Sequence, residues 1–177
     1  FMNLNYNAIG TRSNVKVIDS SENKSCHIDI LEYQNLNGLT NSSMAQSLFY
    51  MKEQNIKAKQ IVIYLENDVI KTEPGALSYM QGDIQMVSGV NAGNLIGKMF
   101  SSKMTGENIA QPEYKGTGMI VLEPSFKHFV VIDLQSNEDI IVDKGMMYAC
   151  QGSVTSKPIM QKSISSAIAG GEGLFQI

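Results

Sequence analysis

The chain has 177 residues, of which 43% are hydrophobic and 18% charged, as is typical of one globular domain. Its 14 lysines and arginines stand against 17 acidic residues, so the net charge is −3. Nucleic-acid-binding proteins usually carry a basic face, and this balance therefore argues against a nucleic-acid partner. The longest apolar runs have about five residues, whereas a membrane-spanning helix needs about 20. We therefore expect no membrane span.

Cysteine usage and the first residues bear on cellular location. Cys26 and Cys150 are too few for a disulfide scaffold and lack Cys-x-x-Cys spacing, so we expect two reduced, partly buried thiols. The first residues show neither the basic nor the apolar region of a signal peptide. These features predict a cytoplasmic protein.

Residues 1–57 form the predicted N-terminal segment. It contains short strands at 15–18 and 27–33, followed by a helix over about 42–55 that Ser42 or Ser43 can cap. Within this helix an apolar stripe recurs at spacings of four and three residues, and we expect it to pack on the core. The stripe consists of Met44, Leu48 and Met51.

Residues 58–177 form the predicted β domain. A strand at 61–65 has apolar residues on both faces, a turn is expected at Asn67 and Asp68, and a strand at 77–86 contains Gly82, which suggests a bulge or a close backbone approach. Short strands then recur about every ten residues, at 118–122, 129–134, 140–142 and 147–154. This spacing predicts an all-β, mainly antiparallel fold, a repeat-built β-sandwich or double-stranded β-helix-like roll with one N-terminal helix.

An internal repeat is the most informative pattern of the β domain. Residues 75–84 align with 145–154, because both begin with glycine and continue with an apolar strand and Gln-Gly. A Gly-Glu pair follows each copy, Gly106-Glu107 in the first and Gly171-Glu172 in the second. The pattern predicts two units, about 75–124 and 145–177, which pack together because neither buries its own face.

The second unit is shorter than the first. It ends before any counterpart of the strand that follows Gly116 and Gly118. Either the sequence is a piece of a longer protein with a further repeat, or a strand from another copy completes the unit.

Ordered motifs over residues 58–177 resemble the altered-inheritance-of-mitochondria (mitochondrial biogenesis) family. They are the segments 74–84, 105–107, 116–118, 122–124 and 170–175. The resemblance implies a fold similar to that of the tryptophan RNA-binding attenuation protein. It also implies a biochemical role that is largely unknown in bacteria and tied to mitochondrial inner-membrane organisation in yeast. Family members usually carry a further repeat, which this sequence lacks.

No catalytic, cofactor-binding or metal-binding residue is predicted. The motif residues are interpreted as structural positions of turns and strands: Gly75, Gly82, Gly106, Glu107, Gly116, Gly118, Gly145, Gly152, Gly171 and Glu172. His27 and His128 are the two histidines, too few for the histidine-rich metal site of a β-roll enzyme. Glu107 and Glu172 are expected to accept hydrogen bonds from their glycine turns.

The function predicted from the sequence is non-enzymatic binding or assembly, with self-association and a protein partner. The alternative is a small-ligand-binding or RNA-binding regulator, which rests on fold analogy alone. A third reading is a hydrolase that uses the paired carboxylates of Glu107 and Glu172. A monomer is the competing prediction to self-association, if the N-terminal helix covers the exposed sheet face.

Overall fold

The structure is a computed structural model that describes residues 14–36, 44–87, 111–143 and 145–156, and the backbone of two short strands beyond them. The elements in chain order are β1 (Val15–Glu22), β2 (Cys26–Tyr33), α1 (Met44–Glu53), β3 (Lys59–Thr72), β4 (Leu77–Met86), β5 (Glu113–Leu122), β6 (Ala149–Gln151), β7 (Ile159–Met160) and β8 (Phe175–Gln176). The predicted all-β class with one helix is confirmed.

The main sheet has the strand order β1-β2-β3-β5-β4, and β6 also pairs with β3. The β1–β2, β2–β3 and β3–β6 pairs are antiparallel, as is the separate pair of β7 and β8. The chain divides into two compact units. The first comprises the described residues of Phe1–Glu66, Leu77–Asp83 and Thr117–Asp133, and the second those of Asn67–Ala76, Ile84–Gly116 and Leu134–Ile177.

The β1–β2 hairpin of the first unit is closed by an asparagine. Asn23 Oδ1 accepts hydrogen bonds from the backbone N–H groups of Ser25 (3.0 Å) and Cys26 (2.9 Å). Its own N–H donates to the Cys26 carbonyl at 2.9 Å. Asparagine favours such turns because its short side chain bonds the backbone two or three residues ahead. Both strands are therefore longer than the sequence predicted.

The core of the first unit lies on both faces of β3. Residues 59–65 are all buried, which confirms the prediction that both faces of this strand are covered. Since successive side chains alternate between faces, residues 60, 62 and 64 point one way and 59, 61, 63 and 65 the other. One face holds a cluster of Leu31, Val62, Tyr64 and Val121, and β2 and β5 also contribute Ile30, Ile120 and Leu122 to the core.

The predicted turn at Asn67 and Asp68 is wrong, because β3 runs through both residues to Thr72. Asn67 has a positive φ of 50°, and the Asp68 carboxylate accepts a hydrogen bond from the backbone N–H of Val69 at 2.7 Å. Asparagine tolerates this left-handed conformation better than most residues, so the strand is distorted locally without ending.

The second unit is built on the last residues of β3. Ile70, Lys71 and Thr72 pair with Gln151, Cys150 and Ala149 of β6. Among the described residues of this unit, the buried ones include Ile70, Ala76, Ile84 and Tyr114.

The strands predicted at 129–134 and 140–142 are absent, and the one predicted at 147–154 is shortened to Ala149–Gln151. The residues that follow β5 form an isolated bridge between Ser125 and Lys59, and residues 126–143 then contain no strand. A period-two pattern indicates extended backbone but does not identify a neighbouring strand to pair with.

The helix α1 is close to its predicted bounds, but the prediction that its apolar stripe packs on the core is wrong. None of its residues is buried; Leu48 and Met51 are half-buried and Met44 is exposed. Phe49 and Tyr50 are also exposed, and their rings meet edge-on with centroids 5.6 Å apart. The stripe is narrow, and such a short helix face buries little apolar area.

Candidate functional site

The glycines that begin the two aligned repeat segments lie in turns. Gly75 and Gly145 have φ values of 84° and 81°, and a Cβ on either would meet nothing within 4 Å. The glycines of the two Gln-Gly motifs differ from each other in environment. Gly82 lies inside β4 with φ 110°, whereas Gly152 follows β6, where its N–H donates to the Val69 carbonyl at 2.7 Å.

A close backbone approach surrounds Gly82. A Cβ at this position would lie 2.6 Å from the Thr117 carbonyl oxygen and 2.7 Å from the Gly118 Cα. Gly116 and Gly118 both lie inside β5, the strand beside β4. Gly82 and Gly118 therefore lie where the two strand backbones approach closely.

The Gly-Glu pairs lie outside the described residues. These are Gly106, Glu107, Gly171 and Glu172. Whether the two glutamates are turn acceptors or paired carboxylates stays a prediction.

His27 is held between two carboxylates. Its Nε2 lies 2.8 Å from Asp29 Oδ1, its Nδ1 lies 3.3 Å from Glu22 Oε2, and its ring tilts against Tyr64. The described residues contain no group of three histidine, cysteine or acidic side chains placed to hold a metal ion.

Both cysteines are free thiols. Cys26 is buried in the first unit and Cys150 is half-buried in the second. Burial raises the pKa of Cys150; the nearby Lys71 ammonium lowers it, and the Glu113 carboxylate raises it further. Cys150 therefore stays a protonated, weakly nucleophilic thiol at neutral pH.

The candidate site is a cleft of about 280 Å³ in the first unit. Charged, polar and apolar groups line it: Glu32, Gln54, Asn55, Ile56, Lys57, Lys59, Phe126 and His128. The floor is formed by the start of the β2–β3 ladder, where Glu32 and Lys59 are cross-strand partners. The site thus lies where the sheet meets the segments before β3 and after β5.

The charges of the cleft are concentrated on its floor. Glu32 Oε1 lies 3.3 Å from Lys57 Nζ, and Glu32 Oε2 lies 3.9 Å from Lys59 Nζ. Lys57 also donates to Gln34 Oε1 at 3.2 Å. One carboxylate therefore faces two ammonium groups, which leaves one positive charge in excess on the floor.

The end of α1 forms one wall. Asn55 N–H donates to the Lys52 carbonyl at 3.0 Å, Ile56 N–H donates to the Met51 carbonyl at 2.8 Å, and Asn55 has φ 53°. This is the Schellman arrangement that ends many helices with an apolar residue just beyond the left-handed one. The cap fixes the backbone of Ile56 beside the lysines.

Another part of the lining comes from the segment after β5. Ser125 and Lys59 exchange two backbone hydrogen bonds, of 2.7 and 2.8 Å, and this bridge places Phe126 and His128 at the cleft. The sequence analysis missed the site, because neither the isolated bridge nor the register of Glu32 and Lys59 follows from a motif. The alternation of Lys57 and Lys59 before an apolar strand was the available signal.

Comparison with known proteins identifies the family. Residues 50–177 match the family described as mitochondrial biogenesis AIM24. The chain matches no curated protein and no solved structure. In the part of the chain that the structure describes, no helix has the length and apolar character needed to cross a membrane. Because the match covers well over half of the chain, this protein belongs to the mitochondrial biogenesis AIM24 family.

Proposed function

We propose that the protein acts without catalysis, as a binding or assembly protein whose first unit associates with a second copy of the chain. The observation that carries this proposal is the exposure of two β-branched side chains, Val130 at 72% and Ile132 at 54%. Its family supports a role related to mitochondrial biogenesis. The partner protein, the cytoplasmic location and the lack of a nucleic-acid partner stay predictions.

The exposed pair lies in the segment after β5, which forms no strand. Val130 and Ile132 are exposed, whereas Phe129 and Val131 between and beside them are half-buried. Burial of one Val or Ile side chain contributes roughly 1.5–3 kcal/mol. In a two-fold contact each side chain is buried twice, once from each copy. A second copy presents the same two apolar side chains, so the contact is apolar on both sides.

Two reactive side chains of the first unit, His27 and Cys26, are hydrogen-bonded or buried. His27 lies between Asp29 and Glu22, and Cys26 is buried. This environment supports a structural role for both residues and thus the non-enzymatic proposal. The hydrolase reading depends on Glu107 and Glu172, which lie outside the described residues.

A second candidate function is small-ligand binding. The specific observation that favours it is the cleft at Glu32, Lys57 and Lys59, which combines polar and apolar walls. Ligand sites in proteins are commonly concave and combine apolar surface with a few placed polar groups.

The experiment that tests self-association places charge on the exposed pair. A Val130→Lys/Ile132→Lys variant should sediment near the monomer mass of 19.4 kDa, whereas the unaltered chain should sediment as a larger species. The matched control, Thr155→Lys/Ser156→Lys, adds the same charge at exposed polar positions and should keep the larger mass. If the Val130/Ile132 variant keeps the mass of the unaltered oligomer, this surface is not the contact.

A further inference from the structure

Lys59 combines a mostly buried side chain with a long ion pair. Its side chain is only 11% exposed, yet its ionic partner among the described residues is Glu32 at 3.9 Å, beyond hydrogen-bond distance. The same carboxylate lies closer to Lys57, at 3.3 Å. The ammonium can therefore still form a short, charge-assisted hydrogen bond with an anion that enters the cleft.

The lining of the cleft also contains apolar side chains. Phe126 and Ile56 both line the cleft and are open to solvent, at 45% and 42% exposure. The amide side chains of Gln54 and Asn55 and the ring of His128 line the cleft too, and each can donate a hydrogen bond.

We propose that this cleft, with Lys59 at its floor and Phe126 and Ile56 on its walls, binds a small organic anion. The ligand carries a compact oxyanion, a carboxylate or phosphate, that meets the Lys59 and Lys57 ammonium groups. A flat apolar group on the same molecule lies against Phe126. The volume of about 280 Å³ limits the ligand to small size, since sites for drug-sized ligands span roughly 300–1,000 Å³.

The net positive charge of the cleft favours a ligand with a negative charge. Glu32 neutralises one of the two lysines, so an anion offsets the positive charge that remains among the described lining residues. A cation would instead add to the uncompensated charge. This inference does not depend on self-association, because Val130 and Ile132 do not line the cleft.

The test uses the full chain, titrated with phenyl phosphate and benzoate and followed by the backbone amide signals in NMR. Saturable shifts are expected at Ile56, Lys57 and Lys59, which lie at the cleft. Benzylamine, a cation of similar shape, should give no saturable shift at these residues. Saturable binding of benzylamine with equal affinity would overturn the proposal.

Two variants separate the charge from the apolar wall. Lys59→Gln should weaken phenyl phosphate binding about tenfold, because a charge-assisted hydrogen bond is lost. The matched control Lys115→Gln, at an exposed position outside the cleft, should bind as the unaltered chain does. Phe126→Ala changes an exposed side chain, and it should weaken phenyl phosphate but leave the weaker binding of inorganic phosphate unchanged. Absence of saturable shifts at millimolar phenyl phosphate, or equal affinity in Lys59→Gln and Lys115→Gln, contradicts the proposal.

Discussion

Gly82 of β4 and Gly118 of β5 lie so close that a Cβ on Gly82 would sit 2.7 Å from the Gly118 Cα. The Thr117 carbonyl oxygen would be 2.6 Å from the same Cβ, and φ at Gly82 is 110°. Neither neighbour is a flexible side chain that could move away. The contact therefore requires glycine for both space and backbone conformation.

Gly82→Ala is expected to destabilise the protein by roughly 3 kcal/mol or more, because steric overlap adds to backbone strain. The control is Gly75→Ala, where φ is also positive but a Cβ meets nothing within 4 Å. That variant should lose only about 1–2 kcal/mol, the cost of strain alone. Urea unfolding of the two variants measures the difference, and equal losses would show that the backbone contact is not tight.

Glu32→Gln should destabilise the protein by about 1–3 kcal/mol, because it removes the carboxylate that faces two lysines of the cleft. Glu22→Gln, the control, alters a carboxylate that contacts His27, but the Glu22 side chain is 73% exposed while that of Glu32 is 20% exposed. Exposed pairs contribute at most about 1 kcal/mol, so the control should change stability little. A loss in Glu22→Gln equal to that in Glu32→Gln, measured by chemical unfolding at low salt, would contradict this account.

Several features of the fold follow from the sequence, and the strand wrongly predicted at 129–134 has a clear physical cause. Alternating apolar residues located β3 and its two buried faces, and Gly82 indicated a close backbone approach. The segment 129–134 has the same alternation but forms no strand. Periodicity describes one segment at a time, whereas a strand also depends on its neighbour in the sheet.

The cleft depends on such long-range relationships. Glu32 and Lys59 become neighbours through the antiparallel register of β2 and β3, and the bridge of Ser125 with Lys59 positions Phe126. None of these residues belongs to a sequence motif that would indicate a binding site. The predicted turn at Asn67 failed for a different reason, since asparagine with positive φ can distort a strand as well as end it.

The stability of the protein should fall in alkaline solution in part through Cys150. Burial raises the pKa of this thiol above its value in the unfolded chain, so the folded state favours the protonated form. Its contribution is fully present below the unfolded pKa of about 8.5 and is lost as the pH rises through the folded pKa.

Cys150→Ala provides the comparison for this prediction. The difference in unfolding free energy between the unaltered chain and Cys150→Ala should shrink as the pH rises from neutral through the range where thiols ionise. Chemical unfolding under reducing conditions at a series of pH values measures it. A difference that stays constant, or grows, with pH would show that burial does not disfavour the Cys150 thiolate.

The mass of the unaltered chain in solution tests the central proposal of self-association most directly. Light scattering coupled to size exclusion, over a tenfold range of micromolar concentrations, should give a mass that exceeds 19.4 kDa and approaches an integral multiple of it as concentration rises. This result is expected because burial of Val130 and Ile132 between copies favours the assembled state. A mass of 19.4 kDa that is unchanged across the whole range would contradict the assembly proposal.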